Sequence, residues 1–473
     1  MKPVLHTADQ LLVLLYGISL VALGIFHYRR RNREDAEDFL IAGRKLSLGA
    51  FVATLVTTFY GGILGVGEFT YRYGLVSWLT QGVFYYLFAL VYAFFLAKAV
   101  RRSMHYTLPD QFFAHYGKKA GLLGALATFV LVSPAPYVLM VGTLLHIIFG
   151  WSLAVSILAG TLFSTVYVLF GGLRSVVKTD IFQFLLMFGG FGIVLPFAWR
   201  QIGALPAVLH GLPPGHLNPV GRLSIQQVIA WAVIALWTII SPSFFQRCSA
   251  ARDERTAQRG IVLSVGFWFL FDMMTLSAGF YARYALPGID PVMAFPLLGA
   301  KVLPPVLLGL FFVGMLATIM STLDSMAFLA AITLGRDFFW RLRGGKEPEE
   351  AVMRYTRYGL IAAAALSVAL ALTYRSVIDL WYLFGSLVIP VLLLPLVTSF
   401  WPRFRLPPAE TAAVMAGVAL TEAGWWLAGI ARGALLSPVY PGGVEPIYPG
   451  LLLSVGLYLF FWLRLRTPRQ IRS

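Results

Sequence analysis

An all-α polytopic membrane protein of about thirteen transmembrane helices is the fold class that this sequence predicts, and three observations predict it. Hydrophobic residues make up 59% of the 473 positions and charged residues only 12%, roughly half the charged share of a soluble domain. The apolar residues fall into runs of about 20, the length that crosses a bilayer as a helix. Lysine and arginine gather between alternate runs, the bias that sets orientation in a membrane.

Taken in order, the runs cover roughly 8–27, 47–71, 75–100, 119–149, 151–171, 177–198, 223–245, 259–285, 304–337, 356–373, 376–400, 409–429 and 447–466. The first is too long for the apolar segment of a signal peptide and is followed by Arg29, Arg30 and Arg31, so it is expected to stay in the mature protein. With the N-terminus outside, the loops beginning at Arg29, Arg101, Arg174, Arg247, Arg336 and Arg403 and the tail from Arg464 hold most of the 37 basic residues on the cytoplasmic side. The C-terminus is then cytoplasmic, and the expected location is the cell membrane. The net charge of +16 follows from this bias and from anionic lipid, so the implied partner is the bilayer and not nucleic acid. No obligate protein partner is implied. Cys248 is the single cysteine and falls in a predicted cytoplasmic loop, which excludes an intramolecular disulfide.

The connections are short. Segment 201–222 contains Pro206, Pro213, Pro214 and Pro219, and segment 431–450 is rich in Pro and Gly; both read as turn-rich outer caps. Segment 345–354 mixes Lys346, Glu347, Glu349, Glu350 and Arg354 and reads as a solvated connector. Two runs are interrupted. The second contains Thr57, Thr58, Gly61, Gly62, Gly65 and Gly67, and the seventh ends in Ile240, Ser241, Pro242 and Ser243. Interrupted spans at corresponding places in two halves point to a secondary transporter built from inverted repeats. The chain then divides into a first flanking helix and lead-in (1–46), a first five-helix repeat (47–200), a second five-helix repeat (201–400) and two C-terminal flanking helices (401–473). A glycine-rich helix can instead serve as a packing face.

The ninth run carries Thr318, Ser321, Thr322, Asp324 and Ser325 near its middle. At about 100° per residue, positions 318, 321, 322 and 325 share one helical face. Oxygen ligands of this kind suit a small hard cation. Ser and Thr also serve helix packing and bond back to their own carbonyls. The Asp324 carboxylate, which costs about 2.5–3.5 kcal/mol at mid-bilayer on insertion scales, tilts the reading toward function. The sequence has no G-x-x-x-x-G-K-[ST] loop, no H-E-x-x-H and no selectivity-filter loop, so an ATP-driven pump, a zinc enzyme and a potassium-type channel find no support.

Several segments together resemble the sodium:solute symporter family. Asp38, Phe39, Ala42, Gly43 and Arg44 look like its D-F-x-x-A-G-R signature, and Gly171, Gly172, Leu173, Val176, Thr179, Asp180 and Gln183 resemble its G-G-L-x-A-V-x-x-T-D-x-x-Q run. Gln246, Arg247, Ala250 and Ala251 fit its Q-R-x-x-A-A loop, and Met320, Ser321, Thr322, Asp324 and Ser325 are similar to its M-S-T-x-D-S segment. The match runs in order from about Asp38 to about Pro395. The resemblance implies a LeuT-like inverted five-plus-five core with flanking helices, alternating access, and Na+ as coupling ion. It places the backbone carbonyls of Leu55 and Thr58, the carbonyl of Thr318 and the hydroxyls of Ser321 and Thr322 around that ion. A broken helix suits this role, because its freed carbonyls replace the ion's hydration shell.

The resemblance also maps Asp180 to the cytoplasmic start of the sixth span, where with Asp324 and Ser325 it lines the ion's exit or a second sodium site. Asp324 departs from the pattern, since relatives with a second site carry serine there. For Asp180 the alternative is an acidic residue favourably placed in a helix's first turn. Solute contacts are implied near the break, at Thr57, Gly61 and Gly62, with Gln81, Tyr85, Trp231, Trp237 and Phe384 as further candidates. Glu68 and Asp272 are read as the remaining intramembrane carboxylates; Glu68 has Arg72 one turn away, whereas Asp272 lacks an evident partner.

The expected function is sodium-coupled import of a small organic solute, such as an amino acid, sugar, carboxylate or vitamin, with no bond made or broken and hence no enzyme activity. The alternatives are a proton-coupled symporter of the same fold, using Asp324 or Asp180, and a transporter-like sensor. A sensor calls for a long output domain, and only a short tail follows Arg464.

Overall fold

A bilayer leaves no water to satisfy peptide groups, so the apolar runs close their hydrogen bonds internally as helices. A computed structural model describes residues 5–29, 36–221, 223–345, 349–374 and 376–466. Arg30, Arg31, Arg222, Lys346, Glu347 and the tail beyond Arg466 lie outside the described residues. The first half comprises α1 (Thr7–Arg29), α2 (Ala36–Ile41), α3 (Leu48–Phe59), α4 (Ile63–Tyr73), α5 (Val76–Ser103), α6 (Leu108–Leu131), α7 (Ala135–Phe149) and α8 (Leu153–Ile202). There follow α9 (Ile225–Ala250), α10 (Glu254–Ala285), α11 (Ala294–Val302), α12 (Leu307–Trp340), α13 (Glu349–Thr373), α14 (Val377–Ser399), α15 (Pro408–Arg432) and α16 (Ile447–Arg466).

Among the described residues, ten helices are long and apolar enough to cross a membrane, and the bent pair α3 and α4 makes an eleventh. The described apolar stretches Thr7–Leu23 of α1 and Leu153–Val166 of α8 are shorter, so eleven spans, not the expected thirteen, are counted among the described residues. Helix α6 is broken at Gly117 (φ 73°), so the fourth run begins just after that kink, close to the expected 119. It is preceded by a short segment from Leu108, where Thr107 and Asp110 form a reciprocal cap and Pro109 occupies the first turn. Ser47, Ser152, Ser224 and Asp253 cap α3, α8, α9 and α10 through the amide three residues on.

The two interrupted runs differ. Helices α3 and α4 meet at 55° across Tyr60, Gly61 and Gly62. In α9 the interruption is a tight 3-10 turn, Ala235–Thr238, after which Ser241 caps a last segment beginning at Pro242. Helix α8 is kinked at Gly172, whose φ of 62° is available to glycine at no steric cost.

Helix α12 runs through the centre, with nearly every residue of Leu307–Ile332 buried. It meets the second part of α8 at a pair of glycines: a Cβ on Gly314 would lie 2.8 Å from the Leu186 carbonyl and 3.0 Å from Gly190 Cα. This backbone-to-backbone approach is what small residues permit in membranes. It also sets the polar faces of the two helices against each other.

Two expectations are corrected here. Arg247 and Cys248, read as part of a loop, are fully buried in the last segment of α9. Arg336, read as a loop charge, is a buried residue of α12 that bonds Asp110 at 3.0 Å and also reaches Asp337. Positive-inside counting treats every arginine as solvated and has no means of seeing a paired one. The same end of the bundle is closed by Arg44, which reaches the carbonyls of Ser249 (3.1 Å) and Met104 (2.7 Å), and by a β-bridge between Leu46 and Ala251. The start of α1 lies at the opposite end, where Asp9 accepts from the amides of Val306 (2.8 Å) and Gly309 (2.9 Å).

Candidate ion and solute sites

Breaking a helix strips the last carbonyls of its first half of their donors. At the end of α3 these are met by Thr322 of α12, whose hydroxyl lies 2.9 Å from the Thr58 carbonyl and 3.1 Å from that of Thr57. The approach requires glycine at position 61, since a Cβ there would sit 2.0 Å from the Thr322 hydroxyl oxygen. The Thr318 hydroxyl instead donates back to the Gly314 carbonyl at 2.7 Å. Leu55 lies one turn before Thr58 on the same fully buried stretch of α3.

Below the break a charged layer joins four helices. Asp180 of α8 accepts from the Ser321 hydroxyl at 2.5 Å and from the Thr54 hydroxyl. Arg247 of α9 donates through one nitrogen to Ser325 (2.6 Å), Thr58 (2.9 Å) and Thr54 (3.2 Å), and that nitrogen lies 3.9 Å from the Asp180 carboxylate. Both charges are wholly buried. Two opposite charges inside a membrane are tolerable when each is paired and hydrogen-bonded, as these are. Asp180 sits about two turns beyond the Gly172 kink, so it is not a first-turn residue of its helix.

Asp324 does not join this layer. It accepts from Ser164 on the first part of α8 at 2.9 Å, and its second oxygen is buried without a partner among the described residues. Of the residues expected to line the ion's exit or a second ion site, Ser325 joins Thr58 and Arg247 beside Asp180, whereas Asp324 turns to another helix. Arg247 and Thr54 are the members that sequence reasoning missed. Arg247 lay in a quoted motif but was read as a loop charge; Thr54 precedes Thr58 by one helical turn, the spacing that reveals it.

A cavity of about 120 Å³ adjoins the break. Of the expected solute contacts, Gly62, Gln81, Tyr85, Trp237 and Asp272 line it, together with Thr58. Thr57, Gly61 and Phe384 do not: Thr57 bonds back to the Ala53 carbonyl, Gly61 abuts Thr322, and Phe384 is buried elsewhere on α14. Trp231 lines a separate cavity of about 320 Å³ with Glu68 and Arg72, which form the expected one-turn ion pair at 2.9 Å. Gly62 gives way to Trp381 of α14, whose ring would lie 1.9 Å from a Cβ there. Glu422 of α15 is an additional buried carboxylate, set against Gly450 and away from this cavity.

A central helix carrying hydroxyls against a broken partner, with a small cavity at the break, defines a secondary transporter. Residues 39–417 match the sodium:solute symporter family. The chain belongs to that family, which makes it a membrane transporter rather than an enzyme and makes sodium its coupling ion.

The high-affinity choline transporter 1 of Drosophila melanogaster is 26% identical over 82% of this chain, which spans 66% of that relative's length. The osmoregulated proline transporter OpuE of Bacillus subtilis is 24% identical over 93% of each chain. The sodium/pantothenate symporter of Escherichia coli is 25% identical over 95% of this chain and 94% of its own. Among solved structures, a Na+-coupled sialic acid symporter superposes with a TM-score of 0.78 at 14% identity, covering 96% of this chain and 98% of that one. A nucleobase-cation-symport-1 family transporter gives 0.60 at 14%, covering 90% and 93%. These likenesses show the LeuT-like fold.

Proposed function

We propose that the chain imports a small organic solute on a sodium gradient by alternating access, with its arginine-rich end in the cytoplasm and its N-terminus outside. The observation that carries this reading is Thr58. Its carbonyl meets Thr322, its hydroxyl meets Ser325 and Arg247, and it lines the cavity at the break. One residue therefore borders both sites, so an ion held by the carbonyls of Leu55, Thr58 and Thr318 and the hydroxyls of Ser321 and Thr322 fixes the wall that the solute touches. Coupling follows, because a ligand shifts a conformational equilibrium through its differential affinity for the two states. Asp180, with Ser325, lies on the route between this ion site and the arginine-rich end. The two five-helix repeats, 47–200 and 201–400, supply the broken helix and the central helix respectively.

The relatives transport choline, proline and pantothenate by name. They agree on a small organic solute and on nothing finer. A proton-coupled variant of the same reading is favoured by one observation, the unpartnered second oxygen of Asp324.

The test is the melting temperature of the purified protein in detergent, with sodium exchanged for potassium at constant ionic strength. Sodium at about 100 times its dissociation constant stabilises by about 2.7 kcal/mol. A sodium-specific rise that Ser321→Ala abolishes is expected. No rise, joined to sodium-independent uptake that grows at acidic pH, would replace sodium by protons.

A further inference from the structure

The cavity at the break is walled by Phe59, Tyr60, Tyr85, Tyr137, Trp237 and Trp381. Among the described residues, Asp272 of α10 is its one charged lining residue, and no lysine, arginine or histidine lines it. The Asp272 carboxylate accepts from the Tyr86 hydroxyl and makes no ion pair among the described residues. Asp180 has Arg247 and Glu68 has Arg72, while Asp324, which also makes no ion pair among the described residues, bonds Ser164 and does not line this cavity. A carboxylate within a membrane is costly unless something positive completes it. Aromatic faces attract cations and repel anions, most strongly where water is excluded.

From this geometry we infer that the solute of the cavity is a compact alkylammonium cation, its positive charge held between the aromatic walls and Asp272. The inference rests on the transport reading above and names its substrate class. The volume of about 120 Å³ fits a compact solute, being well under the roughly 300–1,000 Å³ of drug-sized sites. The neighbouring cavity, toward the N-terminal end, has the same sign. Its lining places Glu68, Asp379 and Glu445 against Arg72 among the described residues, beside Trp231 and Tyr382. A solute carrying only a carboxylate would meet repulsion from Asp272 and find no basic side chain in the cavity wall. A zwitterion would satisfy Asp272 but find only neutral donors, such as Gln81 and Thr238, for its own carboxylate.

The experiment measures melting temperature and tryptophan fluorescence of the full-length protein in sodium buffer with choline, tetramethylammonium, L-proline, pantothenate or glucose, each at the same millimolar concentration. Choline and tetramethylammonium are expected to raise the melting temperature and quench fluorescence, and the other three to do neither. Asp272→Asn is expected to weaken choline binding by roughly tenfold or more, the size of one lost charge contact. Stabilisation by proline, pantothenate or glucose with none by choline overturns the inference, as does a sodium-stabilised protein that ignores all five. The sodium-dependent rise without any solute reports on the transport reading separately, so the two failures are distinguishable. Should Asp272→Asn not fold, the solute comparison on the wild type decides alone.

Discussion

Replacing Gly61 by alanine tests whether the broken helix and α12 are in contact at the ion site. A Cβ at position 61 would fall 2.0 Å from the hydroxyl oxygen and 2.2 Å from the Cβ of Thr322. Because the Thr322 Cβ is itself in the way, no side-chain rotation relieves the clash. Carbon atoms need roughly 3.5 Å, so the two backbones must part by roughly 1.3 Å. Overpacking of this kind costs about 1–3 kcal/mol. The two bonds from Thr322 to the carbonyls of Thr57 and Thr58 would be lost as well, at about 0.5–1.5 kcal/mol each. The sum, about 2–6 kcal/mol, is a large share of the roughly 5–15 kcal/mol that holds a typical domain together. The assay is thermal unfolding in detergent with and without sodium. Gly61→Ala is expected to lower the melting temperature and to abolish the sodium-dependent rise. Gly49→Ala, in the first turn of the same helix with nothing within 4 Å of its added Cβ, is expected to be neutral. A Gly61→Ala protein with the wild-type melting temperature and sodium response would refute the contact.

Other perturbations read out different layers of the site. Arg247→Met leaves Asp180 as an uncompensated buried charge and is expected to destabilise by about 3–5 kcal/mol; adding Asp180→Asn should recover part of that loss in the same melting assay, and no recovery would mean that the two charges do not compensate each other. Outside the membrane, burial raises the Glu445 carboxyl above its ordinary value, only partly opposed by its bond from Tyr382. A carboxyl raised on folding contributes stability that is complete below its unfolded value, about pH 4.3, and is lost as pH rises through the folded value. Glu445→Gln removes that loss, so the variant's melting temperature relative to wild type should climb from pH 4 to pH 8; a difference independent of pH would remove the assignment.

Composition, periodicity and the placement of polar residues determined a good deal by themselves. They identified a polytopic helical membrane protein, the break after Thr58, and Ser321 and Thr322 as the polar face of a central helix, because each is a property of one segment and its depth in a bilayer. The Glu68 and Arg72 pair was legible for the same reason, being one turn of one helix. Tertiary structure decided which of these groups meet. Asp324 and Ser325 are neighbours in sequence, yet one faces Ser164 and the other Arg247. Arg247 reads as a loop charge until the end of α9 is seen folded into the bundle, beside Asp180. Tyr137 and Trp381, two walls of the cavity, come from helices with no polar signal to single them out. Side-chain meetings between helices depend on crossing angle and axial position, and those are set by close contacts such as Gly190 on Gly314, which no single segment encodes alone.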